Sequence, residues 1–329
     1  MRARVQVRDV QAGPGERARG WLTIGETPGG PLRVPLVIIN GREDGPALCL
    51  TAGVHATEYA PIDAAIRLLQ TIQPDTLRGV VIVVPVTNMR MFEHRTGFVS
   101  PLDGLNLNRI APGRPDGSIT EILADVLLRE VIGAAEYHID LHAGDLGEVL
   151  LPFAGYALTG RPDLDRKGEA LARAFTPWLI SLAPPHGSIP PFPGSLNYSA
   201  SRNGVVSILA ECGGNGTLEE GDVQTHVTGV QNVMRSLGMI DGGPPPDGPR
   251  VAARDRIVVR AGRSGLLRTL VRIGDEIRAG QEVAKIRDVF GDVVERVSAP
   301  GAGIAGLIWS HKVVNTGDPI VRYWITEPA

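Results

Sequence analysis

A chain of 329 residues that is 43% apolar and 21% charged has the makeup of a globular protein, with enough apolar side chains for one large and one small domain. Its net charge of −3 leaves no basic footprint for nucleic acid, and no run approaches the ~18 apolar residues of a membrane helix. Cys49 and Cys212 sit in apolar, strand-like text and fit a reducing compartment better than a disulfide framework. The charged N-terminus does not read as a signal peptide, so a cytoplasmic protein without nucleic-acid or membrane partners is expected.

In chain order, strands are predicted at PLVIIN, ALCLTAG, GVVIVVPV, YHIDLHA and GVVSILAE, and helices at PIDAAIRLLQTI, TEILADVLLREVIGAA and DRKGEALARAFTPWLI. Apolar strands alternating with amphipathic helices predict an α/β domain with a largely parallel sheet covered on both faces. VQTHVTGVQNVMRSLGMI reads as its closing helix, and GGPPPDGPR (242–250) as a stiff connection. Beyond it, short β-branched runs cut by glycine turns predict a small all-β module. The expected domains are therefore 1–242 and 250–329. The Pro/Gly stretch 183–195 reads as a loop over a site, and side chains within 183–203, Ser195 and Tyr198 among them, are expected to shape substrate choice.

Four pieces carry chemistry. GVHATEYA follows an apolar strand and precedes a helix, which places His55 and Glu58 on the turn leaving a strand. Residues three apart face one cation if that turn is helical. His142 closes the strand YHIDLH, and two histidines with one carboxylate are a common catalytic zinc set. Glu211 ends the strand ILAE. A carboxylate there is costly to bury unless paired or functional, and it is the natural general base for a metal-activated water. Arg95, Asn108 and Arg109 punctuate HRTGFVSPLDGLNLNRIAPG, where one guanidinium suits a substrate carboxylate and another a developing oxyanion.

Taken singly, each piece has a plain structural explanation. His-x-x-Glu pairs arise by chance on helices, a strand-end histidine is more often structural, and loop arginines form ordinary ion pairs. Together the four supply a metal, a base and an anion site. The other histidines earn no such role: His138, four residues before His142 on a strand, sits about 13 Å away at strand rise. His94, His186 and His311 lack a partner pattern, and His226 reads as packing or support within the closing helix. Cys212 points away from Glu211's face, as strand neighbours do.

GVHATE, DGLNLNR, DLHAG and AECGGNG, in this order, resemble the succinylglutamate desuccinylase and aspartoacylase family, within the zinc carboxypeptidase-like superfamily. The resemblance covers nearly the whole chain, because a C-terminal β-module is also typical of the family. SPLDGLNLNR is similar to its bacterial N-acyl amino acid deacylase branch, which includes N-acetyl-diaminobutyrate deacetylases. The resemblance implies a zinc-carboxypeptidase-like mixed sheet covered by helices, and one Zn²⁺ per chain held by His55, Glu58 and His142. It implies Glu211 as general base and acid, Arg95 as the group polarising the scissile carbonyl, and Asn108 and Arg109 as binders of the substrate carboxylate. Tyr198 is taken as a further substrate contact. One departure stands out: Asn106 occupies the place of an aspartate expected to orient a zinc-bound histidine.

The β-module resembles the barrel-sandwich hybrid of lipoyl and biotinyl domains. Its hairpin RDVFGDVVER holds no lysine, and Lys285 precedes it in the strand, which disfavours a carrier role. The module is left with two roles, closing the pocket or building a homo-oligomer interface. The expected function is zinc-dependent hydrolysis of the amide of a small N-acyl amino acid. The alternatives are a metallocarboxypeptidase acting on short peptides and a non-catalytic binding protein on the same scaffold.

Overall fold

Fully buried β-branched and leucine runs form the centre of a mixed sheet. The computed structural model describes residues 3–175, 178–181, 193–243 and 251–327. Most of the expected 242–250 connection and of the 183–195 loop, with His186, lies outside the described residues. The chain opens with a small hairpin, β1 (Val5–Val7) and β2 (Val10–Ala12), then a long one, β3 (Glu16–Thr27) and β4 (Gly30–Asn40). There follow β5 (Glu43–Ala52), α1 (Tyr59–Thr71), β6 (Arg78–Val84), α2 (Met89–His94), a 3₁₀ turn at Leu107–Arg109, α3 (Ile119–Val126) and β7 (Tyr137–His142). Then come β8 (Glu148–Tyr156), α4 (Pro162–Phe175), β9 (Trp178–Ser181), α5 (Leu196–Arg202), β10 (Val206–Gly214) and α6 (Glu220–Ser236).

The parallel centre runs β6-β5-β7-β10. Leu48, Leu50 and Ala52 face one layer, with Leu68 of α1, Leu171 of α4 and Val230 of α6. Cys49 faces the other, with Leu123 of α3 and Leu196 of α5. Strands covered on both faces must be apolar throughout, which is why these runs are nearly unbroken. Outside this centre the sheet is not largely parallel. Strands β3 and β4 extend it antiparallel on one side, and β8 pairs antiparallel with β10 on the other. The segment expected as the end of the α4 helix, WLI, instead forms strand β9 beside β8. The helix expected over 120–135 starts with a Ser118–Glu121 capping box and gives way after Val126 to a π turn and a 3₁₀ turn.

The C-terminal part contains β11 (Val251–Arg260), β12 (Gly265–Thr269), β13 (Glu276–Ile277), β14 (Glu282–Arg287), β15 (Val293–Ser298), β16 (Gly303–Trp309), β17 (Val313–Val314) and β18 (Pro319–Glu327). Its order β15-β14-β12-β17 makes a small antiparallel sheet, and Val283, Ile286, Ile320 and Tyr323 centre a core of its own. It is nonetheless stitched to the first domain. Strand β11 pairs with β9 and β16 with β8, so one sheet of twelve strands crosses between them. The α/β fold with its smaller β domain is thus as expected. Among the described residues no helix is long and apolar enough to cross a membrane.

A buried polar ladder crosses the parallel centre. Thr51 Oγ1 donates to Asp140 Oδ1 at 2.7 Å, so it accepts from His138 Nε2 at 2.8 Å, and His138 Nδ1 in turn accepts from Ser207 Oγ at 2.8 Å. His138 is a satisfied core histidine, fully buried and held neutral. Burial pulls its pKa down to about 4. His226 is likewise buried, donating from Nε2 to Cys212 O at 3.2 Å, and burial lowers it to about 4 from an ordinary 6.5. Both cysteines are free and buried.

The sign of the resulting pH dependence is fixed. Between pH 6.5 and 4 the unfolded chain binds protons that folded His226 does not, so its contribution to stability is full above 6.5 and lost as pH falls. Urea unfolding of wild type and His226→Gln at pH 7 and pH 5 is expected to show the wild-type advantage shrinking by up to about 2 kcal/mol. A gap independent of pH would contradict a neutral buried His226.

Candidate active site

Strand β5 ends at Ala52, and the chain leaves the sheet through a turn closed by Glu58 N–H donating to His55 O at 3.2 Å. The helical turn expected to pair these residues is absent. A tight non-helical turn does the same work, with Glu58 directly preceding α1. Strand β7 lies parallel to β5 with Leu141 opposite Ala52, so His142 emerges at the same edge. On its other side β10 sets Glu211 opposite His142. The strand register therefore gathers His55, Glu58, His142 and Glu211 at the carboxyl ends of three adjacent parallel strands, where open α/β sheets place ligands. A register shift between Glu211 and Gly213 marks a bulge just past Glu211.

His55, Glu58 and His142 are all buried, and one ligand atom from each lies within 4.8 Å of the others. Glu58 Oε1 is 2.8 Å from His55 Nδ1. Glu58 Oε2 is 2.9 Å from His142 Nδ1 and accepts from Ala143 N at 3.0 Å. Burial alone would push the Glu58 carboxyl up, but the two imidazoles outweigh it and hold the group at about 2. Glu58 is thus a carboxylate, and two ring nitrogens converge on it.

The far side of each ring is also engaged. Asn106 Oδ1 accepts from Asn108 N at 2.8 Å and lies 3.1 Å from His55 Nε2, so that nitrogen donates to it. Asn106 therefore sits where the orienting aspartate was expected, and does that work through its carbonyl. His142 Nε2 makes a 3.2 Å ion-pair contact with Asp140 Oδ2, while Asn108 Nδ2 is 3.5 Å away, at the limit of a hydrogen bond. The closer carboxylate favours the proton on Nε2. Burial opposes charge on His142, yet Asp140 and Glu58 raise its pKa well above the ordinary value. Asp140 ties this ring through Thr51 to His138 and Ser207, a link absent from the sequence reading. Its one signal is an aspartate two residues before His142, on the same strand face.

Glu211 is half-buried. Its Oε2 is shut off from solvent and has no hydrogen-bond partner among the described residues. Burial raises its pKa well above the ordinary carboxylate range, with Glu58 and Glu148 adding to the rise against His142 and Arg322.

A cavity of about 140 Å³ opens over these four residues. Asn108, Arg109, Ser195 and Asn197 form part of its wall. Leu196 N–H donates to Asn108 Oδ1 at 3.0 Å, and the Arg109 guanidinium bonds back to Asn108 O at 2.8 Å and lies 5.8 Å from the Phe98 ring. Gly194 permits this close approach: a Cβ there would stand 1.9 Å from Arg109 O. Burial lowers the Arg109 pKa. Two expected residues do not reach the wall. Arg95 is exposed at the end of α2 with left-handed φ of 55°, and Tyr198 is half-buried in α5 beside the wall residues Ser195 and Asn197. The C-terminal domain supplies wall residues that the sequence did not reveal, Asp255, Arg256, Arg322 and Trp324. Trp324 meets Phe153 of β8 edge-on, with ring centroids 5.2 Å apart.

Fold and geometry together define a class: an α/β protein with a buried two-histidine, one-carboxylate cluster and a neighbouring carboxyl, Glu211, at the ends of parallel strands. The chain belongs to the succinylglutamate desuccinylase/aspartoacylase family, whose catalytic-domain model matches residues 44–237. It is 29% identical over 304 residues to the N-alpha-acetyl-L-2,4-diaminobutyric acid deacetylase of Halomonas elongata, covering 90% of this chain and 86% of that protein. The product-bound ectoine utilization protein EutE of Ruegeria pomeroyi shares the fold, with a TM-score of 0.85 and 24% identity over 94% of this chain and 95% of that one. So does a succinylglutamate desuccinylase from a Silicibacter species, with a TM-score of 0.86 and 23% identity over 97% and 98%.

If Asp140 orients His142, Asp140→Asn weakens divalent metal binding by roughly 10- to 100-fold, the usual cost of losing such a partner. Competition with a chromophoric chelator measures this, and unchanged affinity would remove Asp140 from the site.

Proposed function

We propose that this chain is a zinc-dependent deacylase that hydrolyses the amide bond of N-acyl amino acids, releasing a carboxylate and a free amino acid. The observation that carries this reading is the strand-end register that sets Glu211, whose buried Oε2 has no hydrogen-bond partner among the described residues, beside the His55–Glu58–His142 cluster. The likeness to a deacetylase over most of the chain supports the same chemistry.

The residues fit a zinc ion. Two neutral-capable imidazoles and one ionised carboxylate, with a cavity opening beside them, match the donor set of hydrolytic zinc sites. His55 Nδ1, Glu58 and His142 Nδ1 would hold the ion, and Asn106 and Asp140 would fix the rings from behind. When bound, zinc polarises a carbonyl and lowers the pKa of water to ~7.

The chain's own groups do the remaining work. Glu211 takes a proton from the attacking water and delivers it to the leaving amine nitrogen, a cycle suited to a carboxylate whose pKa burial has raised. Asn108 and Arg109 anchor the substrate carboxylate and so set the amide against Glu211. Phe98, Leu150 and Phe153 keep the wall around it apolar. Arg95 and Tyr198, outside the cavity wall, carry no step in this reading.

The test is amine release by zinc-loaded enzyme from a panel of N-acyl amino acids beside unblocked dipeptides. N-acyl amino acids are expected to be the better substrates, and Glu211→Gln is expected to lose roughly 10²- to 10⁴-fold in kcat while retaining the metal. Cleavage of dipeptides alone would make the protein a carboxypeptidase. Near-full turnover by the Glu211→Gln protein would rule out the proton cycle.

A further inference from the structure

Two exposed features of the chain match in shape and charge. The first is the turn joining β14 to β15. Val289 and Phe290 at its tip, 93% and 88% exposed, are the barest large apolar side chains among the described residues. Phe290 N–H and Asp292 N–H both donate to Asp288 Oδ1, at 2.9 and 3.0 Å, so the turn is braced and holds its tip outward. Behind it, Val313, Leu266, Arg287 and Val293 stand in register across β17, β12, β14 and β15, and the three apolar members of that row are exposed. Asp288 and Asp292 flank the tip. Contiguous apolar surface rimmed by charge marks a site of contact with another molecule.

The second feature is a groove at β3, the terminal strand of the twelve-stranded sheet. Trp21 of β3, Leu32 and Arg33 of β4, and Met89 and Arg90 of α2 line about 340 Å³ of space, and Trp21 is 53% exposed. Arg19 shares the strand face of Trp21, two residues away, and Arg33, opposite Thr23, is its diagonal neighbour. Both arginines are exposed and without an ion pair among the described residues, whereas Arg90 pairs with Glu93 at 2.8 Å. The groove is an apolar recess with a positive rim, and the tip is an apolar projection with a negative one. Within one chain they stay apart: the shortest strand path from β16 to β3, through β8, crosses roughly 30 Å.

We propose that the Val289–Phe290 tip of one copy of this chain seats in the Trp21 groove of a second copy, with Asp288 and Asp292 against Arg19 and Arg33. Each copy carries one tip and one groove. A two-fold pair therefore makes the contact twice and leaves neither feature bare, whereas a contact made once leaves a free tip and a free groove that add further copies. Doubling also supplies area. A seated aromatic side chain buries about 150–250 Å². One phenylalanine falls well short of the ~1,200 Å² of a specific interface, while two tips on two tryptophans, with the apolar rows behind them, approach it.

Sedimentation velocity of the full-length protein tests this. Wild type is expected to sediment as a dimer, and Phe290→Asp and Trp21→Ser each to raise the dimer Kd at least ~100-fold, because each removes a central contact twice. The altered side chains are exposed, so the fold is expected to survive. Arg33→Asp is expected to weaken the dimer as well, and Asp292→Arg in the same chain to restore it. With Phe290 replaced by the photo-crosslinking amino acid p-benzoylphenylalanine, crosslinks are expected between copies, onto peptides that contain Trp21 or Met89. A monomeric wild type would assign the tip to a different protein and overturn the proposal. So would a dimer unmoved by Phe290→Asp, or crosslinks confined to other peptides. Assemblies larger than a dimer that Phe290→Asp dissolves would uphold the tip-in-groove contact and overturn the two-fold pairing.

Discussion

The site depends on one buried carboxylate. Glu58 is almost wholly removed from water, and an isolated charge there would be untenable. It is tolerated because His55 Nδ1 and His142 Nδ1 meet its two oxygens from different segments of the chain, and Ala143 N–H adds a third contact. That arrangement obliges the turn after β5 and the end of β7 to sit at fixed positions, which the parallel β5–β7 register provides. The same three groups, His55, Glu58 and His142, are the ones that could hold a metal ion. Behind the rings, Asn106 bonds to His55, and the hydrogen-bonded Asp140–Thr51–His138–Ser207 ladder reaches His142 through the Asp140 ion-pair contact, so the core of the sheet is tied to the geometry of the site.

Much of this is legible in the amino-acid sequence alone. The central strands can be read because burial on both faces demands unbroken apolar text, as in ALCLTAG and GVVIVVPV. The strand ends can be read because His142 and Glu211, each with a plain structural explanation when taken alone, combine with His55 and Glu58 into one donor set with a neighbouring carboxyl. Other elements are not legible. Strands β3 and β8 carry charged or mixed residues on their half-exposed faces, so they lack the continuous apolar signal. The tryptophan-led segment at 178–181 continues the composition of helix α4 and reads as part of it, although pairing with β8 and β11 makes it a strand. Asp140 escapes a sequence reading because a lone aspartate inside a strand is informative only once its neighbour's ring is seen beside it. Arg95 closes α2 with a left-handed φ of 55° and lies exposed, a placement that the text around it does not signal.

The C-terminal domain shows a different limit. Its internal pattern is readable as a small β structure, and its exposed 288–292 hairpin, tipped by Val289 and Phe290, lacks the lysine of a carrier domain. Its relation to the first domain is not readable. The pairing of β16 with β8 joins residues more than a hundred positions apart, and no local periodicity encodes such a contact. Yet that pairing carries Arg322, Arg256 and Trp324 to the wall of a cavity whose floor comes from residues 55–211. The two parts are separate in core and continuous in sheet, and both contribute to the lining of the cavity.

The central claim is that Glu58 and the Nδ1 atoms of His55 and His142 form one metal site. Anomalous diffraction at the zinc edge, from crystals of the zinc-loaded protein, tests it most directly. A single strong peak per chain is expected, within bonding distance of both Nδ1 atoms and a Glu58 oxygen. A peak elsewhere, coordination through Nε2 of either histidine, or no peak in that cluster would contradict it.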